Sequence, residues 1–302
     1  MAVCTIFAHC IRKKYRTNLC SKAAVFAFTV TVFSVIVPFV LSYKVKLGFW
    51  KKIDEYQEQP HVRFKRKIIL VLETDKMPIY WSSYPYLNDH LSNIRVPYIE
   101  EKEEDANLDG KPDVLHLLIK TSLSRNTKVF SAKLLLLFDC NIQTYAQVAY
   151  EGMGLIQHSS GVPGNEFTFT GDLRLKQQHL FNYYGYDLRN KKSVINEETA
   201  TASEFSSERI LDEYSSRNVT TRLENTLSTW RSTKESQDFT VNIKIRYPVE
   251  MIFYRPGFWN VVQHAWVQYL AVLVIFLYVG HSVKCFVFGN HVLETYSDSV
   301  DS

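Results

Sequence analysis

Two long uncharged runs stand near opposite ends of the chain, and between them apolar and polar residues alternate at period two. The first run, Ala23 to Tyr43, has no charged residue over 21 positions. At about 1.5 Å per helical residue it covers the roughly 30 Å hydrocarbon core of a bilayer. The second, Ala265 to Gly280, extends through Val261–His264 and His281–Val283 without Lys, Arg, Asp or Glu. Trp259, Trp266 and Tyr269 mark one end, as an interfacial aromatic belt does. The pattern predicts transmembrane helices over 23–43 and 261–283. Two buried core helices are the alternative, disfavoured by the length of the runs and their placement. The first run is long for a signal peptide and has about twenty residues before it, so it reads as an uncleaved anchor. Pro38 predicts a kink near its far end, which membrane helices tolerate.

Between the spans the period changes. Val241, Ile243, Ile245 and Tyr247 alternate with Asn242, Lys244 and Arg246 over Thr240–Tyr247, the signature of a half-buried strand. Glu166–Thr170 alternates Phe167 and Phe169 with threonines. Val62–Leu72, Val114–Thr121 and Val129–Phe138 are further apolar, strand-like runs, the last with both faces suited to burial. Turns are predicted at Asp109-Gly110, Gly161–Gly164 and Gly171-Asp172. Ser206–Tyr214 reads as a short helix with Ile210, Leu211 and Tyr214 on one face. Asn196–Ser207 and Ser228–Asp238 read as exposed loops. The fold class that follows is a two-pass α-helical membrane protein with a mainly β, antiparallel sandwich-like domain over 44–260.

The 302 residues are 46% hydrophobic, which suffices for a packed core and excludes a disordered chain. The formal net charge of +4 is spread out, with no basic stretch carrying interleaved aromatics, so nucleic acid is not an expected partner. The cysteines are Cys4, Cys10, Cys20, Cys140 and Cys285, none in a CxxC pair. Only Cys140 falls in the middle region, which therefore holds together by packing rather than by an internal disulfide. A small buried hydrophobe is its expected role, with a nucleophile as the alternative. Cys20 and Cys285 flank the two spans and are candidates for palmitoylation, beside the plain alternative of unmodified interfacial thiols.

Orientation draws on several weak signals. Arg12, Lys13, Lys14, Arg16 and Lys22 precede the first span; Lys44, Lys46, Lys51 and Lys52 follow it, so the positive-inside rule is nearly silent. Asn218-Val-Thr220, the only N-glycosylation sequon, lies in the middle region. The sequon and the cysteine distribution predict cytosolic segments at 1–22 and 284–302 and an exoplasmic middle, with Asn218 glycosylated.

No GxSxG elbow, HExxH or P-loop occurs, and no catalytic residue is predicted. One loop carries ligand chemistry. Asp105, Asn107, Asp109 and Asp113 supply oxygen side chains at loop positions one, three, five and nine, with Gly110 at six. With the carbonyl of Lys111 they form the first part of a Ca²⁺ loop, although His116 stands where an EF-hand has its bidentate Glu. The alternative is an acidic solvated turn.

Several stretches in one order carry a resemblance: Leu19–Ala24, Gly48-Phe-Trp50, Glu58–Phe64, Glu103–Lys111, Gly171–Leu175, Ser193–Asn196, Arg217–Thr221, Ile245–Glu250, Pro256–Trp259 and Ala265–Tyr269. On these the chain resembles the transmembrane protein 231 family of the ciliary transition zone. The resemblance implies a non-enzymatic component of the complex of tectonic and Meckel-syndrome proteins at the ciliary base. There it would serve the diffusion barrier, cilium assembly and Hedgehog signalling. A receptor or adhesion-type domain binding an extracellular ligand is the alternative reading.

Overall fold

The computed structural model describes residues 13–18, 21–44, 51–195, 207–232 and 238–299. The chain divides into two compact units, Ile53–Arg255 and the terminal segments through Lys52 and from Pro256. Each is built on a different periodicity.

In the terminal unit two helices pack side by side: α1, Lys22–Lys44, and α4, Phe258–Gly289. Both pass as membrane-spanning by length and composition. Their lipid-facing positions, among them Phe28, Phe33, Val274, Ile275 and Tyr278, are exposed and apolar. A surface of that kind is stable only in hydrocarbon. Pro38 lies inside α1 as expected. Helix α4 is longer than its predicted span and runs six residues past Val283. Outside the helices, β1 (Lys13–Arg16) pairs antiparallel with β15 (Tyr296–Ser299), so the two chain ends meet in one ribbon.

The middle unit is a β sandwich. Its first sheet has the order β11-β8-β7-β3-β4. These strands are β3 His61–Thr74, β4 Ile79–Ser82, β7 Val129–Ile142, β8 Gln147–Gly164 and β11 Tyr186–Asp187. The second sheet has the order β12-β9-β13-β6-β5. It comprises β5 Tyr98–Glu104, β6 Val114–Ser122, β9 Glu166–Gln177, β12 Val219–Arg231 and β13 Asp238–Arg246. Inward residues of both sheets make one core, with Leu70, Leu136 and Phe138 facing Leu117, Phe167 and Ile243. A small third sheet joins β2 (Asp54–Glu58), β14 (Glu250–Arg255) and β10 (Phe181–Asn182).

Pairing is mostly antiparallel, but β9 and β13 run parallel at the centre of the second sheet, Phe167 beside Val241 and Phe169 beside Ile243. Strand β12 pairs antiparallel with β9 on its other side, so the chain crosses β9 between β12 and β13. The expectation for β7 holds: Leu134, Leu136 and Phe138 enter the sandwich core. Leu135 and Leu137 enter a second cluster on the opposite face. That cluster is closed by α2 (Pro85–His90) and α3 (Ser207–Ser215), which contribute Leu87, Ile210 and Tyr214. Leu211, expected on the buried face of α3, is exposed.

Three turn or loop expectations are corrected. Gly161–Gly164 and Gly171-Asp172 lie within β8 and β9, and Ser228–Arg231 continues β12 opposite Phe169–Glu166. The reason is packing. A Cβ on Gly164 would stand 2.3 Å from Trp230 Nε1, so glycine there admits a covering indole rather than a bend. Trp230 seals the end of the core between His158, Phe167 and Phe239. Of the other predicted loop, residues 196–206 lie outside the described residues.

Candidate functional site

Four places carry the chemistry that the sequence singled out or the fold creates. In the acidic loop, Asp105 accepts hydrogen bonds from the amides of Asp109 and Gly110 at 3.3 and 2.9 Å. Asp113 accepts from the amides of Ala106 and Asn107 and from Gln59 Nε2 at 2.8 Å. Asp109 accepts from the Lys111 amide at 2.8 Å, and Lys111 Nζ donates to the Gln59 carbonyl. Leu108 and Gly110 take positive φ, 58° and 83°, which curls the backbone amides inward. The side-chain bond from Gln59, then the two amides, hold the Asp113 carboxyl below the usual carboxylate range. The oxygens are thus committed to the loop's own donors. Among the described residues no three His, Cys, Asp or Glu side chains converge as metal ligands. The loop's carboxylates are thus ordered by its own amides and by Gln59.

Asn218 immediately precedes β12, with its side chain half-buried and its carbonyl accepting from the Gln178 amide at 3.0 Å. The sequon's Thr220 is buried in the strand. Cys140 is fully buried, and burial pushes its thiol up to about 12, so it forms no thiolate nucleophile near neutrality. Cys285 is exposed on α4, its sulfur 3.4 Å from His281 Nε2. Cys20 lies outside the described residues.

Among the described residues the fold leaves one sheet face uncovered, and the sequence reading found strands of it but not the assembled face. One face of the first sheet is covered by α2 and α3, whereas strands β5, β6, β13 and β9 present polar side chains outward. Register aligns Lys102, His116, Lys244 and Thr170 in one row, and Glu100, Leu118, Asn242 and Thr168 in the next. Between them lies a shallow cavity of about 350 Å³. Glu104 binds Lys102 at 2.6 Å and His116 at 3.4 Å, so Lys102 arrives already paired.

The helix pair is the fourth place. Tyr269 meets Phe39 edge-on, Gly280 packs against Ser34, and Phe26 meets Phe288. The helices are therefore antiparallel. A Cβ on Gly280 would stand 2.3 Å from Ser34 Oγ, so glycine sets the closest approach. Between Gly280 and Phe288, Lys284 Nζ donates to Thr31 Oγ1 at 2.6 Å. Thr31 Oγ1 in turn donates a hydrogen bond to the Ala27 carbonyl at 2.7 Å. Tyr15 of the terminal ribbon stacks on Phe288. Residue-type patterns place Lys284 just outside a span; only the pairing of the helices brings it against Thr31.

Comparison with known proteins covers the whole architecture. The family model described as Transmembrane protein 231 matches residues 1–297. The human protein of that name is 38% identical over 301 residues, 98% of this chain and 95% of its own. The Bos taurus protein is 38% identical over 300 residues, with the same coverage. That of Xenopus tropicalis is 36% identical over 306 residues, 100% of this chain and 98% of its own. A cryo-EM structure of a proton-activated chloride channel aligns over 88% of this chain and 97% of its own at 7% identity. Its TM-score of 0.29 is too low to support any argument. With both helices and the β domain inside the matched region, the chain belongs to the Transmembrane protein 231 family.

Proposed function

We propose that this protein is a structural membrane component of the ciliary transition zone. There it contributes to the diffusion barrier at the ciliary base, to cilium assembly and to Hedgehog signalling. Its partners are proteins of the tectonic and Meckel-syndrome complex. The observation that carries the reading is family membership along nearly the whole chain, spans and β domain together. The molecule's form supports it. Two apolar helices hold a folded domain at a membrane, and that domain keeps one sheet face open for contacts. Its function is that of anchor and surface, not of an enzyme.

The test is a knockout in ciliated cells, rescued with tagged wild-type protein. The tagged protein forms a ring at the ciliary base. Without it, membrane proteins normally held out enter the cilium and normal residents leak out. A ciliary membrane of ordinary composition in the knockout would falsify the proposal. The free face with its cavity favours one competing reading, a receptor or adhesion domain for an extracellular ligand. A uniform plasma-membrane distribution in place of the ring would select that reading.

A further inference from the structure

Lys284 stands where the bilayer gives a cation no water. Thr31 lies nine positions beyond Lys22 in α1, about 13 Å along the axis and therefore near the middle of a roughly 30 Å hydrocarbon core. The Lys284 ammonium is held at that depth by its 2.6 Å bond to Thr31 Oγ1. A lysine near a helix end normally snorkels toward the headgroups. This one reaches the other way, toward the Gly280 side of the pair and away from Phe288, following the tilt of helical side chains toward their own N-terminus. It is the only Lys, Arg, Asp or Glu within α4, and α1 has charges only at its end residues Lys22 and Lys44. An ammonium has three donors, and Thr31 accepts one. Among the described residues Lys284 has no ion-pair partner, and it lies half-buried between exposed Cys285 and exposed Thr31.

We propose that Lys284 is an assembly site inside the membrane, which takes a carboxylate from a transmembrane helix of another protein. Charge complementarity selects the occupant. Neither span of this chain holds an Asp or Glu, so a second copy has no carboxylate to offer. Depth separates a lipid phosphate from the ammonium by much of a leaflet. A span carrying one Asp or Glu at matching depth satisfies the remaining donors and removes an isolated charge from hydrocarbon. Thr31 acts as the positioning residue that holds the ammonium out of the interface until the partner helix arrives. The inference rests on the helix pairing alone and is independent of the ciliary reading.

The test uses the full chain in zwitterionic vesicles with fluorescent single-span Leu/Ala peptides. These are identical except for Asp, Asn or Leu at mid-depth. Association is read by energy transfer from labelled protein. The Asp peptide is expected to bind about tenfold or more tighter than the Leu peptide, the scale of polar pairs between model helices. K284L abolishes that preference, and T31V, which removes the positioning acceptor but keeps the charge, weakens it without abolishing it. Equal binding of the Asp and Leu peptides to the unaltered chain overturns the proposal and needs no variant that must fold. So does an Asp preference that survives in K284L. A preference cancelled by adding phosphatidylserine assigns the ammonium to lipid headgroups and equally overturns it.

Discussion

Lys65, Arg66 and Lys67 show how single residues shape this fold. Period two would place Arg66 on the core face with Val62, Phe64, Ile68 and Leu70. Strand β3 avoids that by bulging: Phe64 pairs with Phe138 and Lys67 with Leu137, so Lys65 and Arg66 have no partner on β7. Arg66 takes φ 59° and turns out to Glu101. Lys67 lies 4.5 Å over the Tyr84 ring. Lys65 reaches the buried Glu151 at 2.5 Å, and Glu151 also accepts from the Val194 amide. Glu151→Ala strips both donors of their acceptor and should lower stability by about 1–3 kcal/mol, with Glu151→Gln costing less. Chemical unfolding of the full chain in detergent checks this. Asp113 gives a pH signature. Its folded-state carboxyl is held below the unfolded value, so its contribution is complete above the ordinary carboxylate range and is lost as pH falls through the folded value. Wild type should therefore lose melting temperature on acidification more steeply than Asp113→Asn, and parallel curves would refute this.

At the scale of elements, alternation and apolar runs located five strands with core-facing residues, and missed others such as β14, whose buried positions alternate in the fold. β5, Tyr98–Glu104, carries five acidic or basic residues and shows no apolar alternation, yet it closes the edge of the second sheet against β6. Charge suits an edge strand because it discourages pairing with another chain. Gly161–Gly164 of β8 reads as a turn, although Gly164 is a close-approach position under Trp230. The helix pair depends on the same device. Gly280→Ala should separate α1 from α4 and destabilise the pair by about 1–3 kcal/mol, the cost of overpacking. Ser34→Ala removes the offending oxygen and leaves only an ordinary contact, so the double variant should regain most of the loss. Thermal melts in detergent, with cross-linking between the helices, read both. No rescue by Ser34→Ala would show that Gly280 matters for another reason.

At the scale of the whole molecule, Asn218 reports orientation. A glycan there requires the β domain to have entered the secretory lumen. Wild type should lose mass on deglycosylation and Asn218→Gln should not shift. A wild type without any shift would remove the sequon's support for an exoplasmic middle. Much of the architecture was fixed by sequence alone, for a physical reason: burial in lipid and burial in a sandwich leave different periods, one continuous and one alternating. These periods revealed the two spans, five of the strands and the two-faced burial of β7; the family was legible only in the motifs strung along the chain. Tertiary structure decided whatever depends on a partner distant in the chain. It made β9 and β13 parallel, turned Gly164 into a seat for Trp230, and committed the acidic loop's oxygens to its own amides. It also set Lys284 against Thr31, because the register of two helices more than two hundred residues apart is fixed by how Gly280 meets Ser34 and not by anything local to either segment.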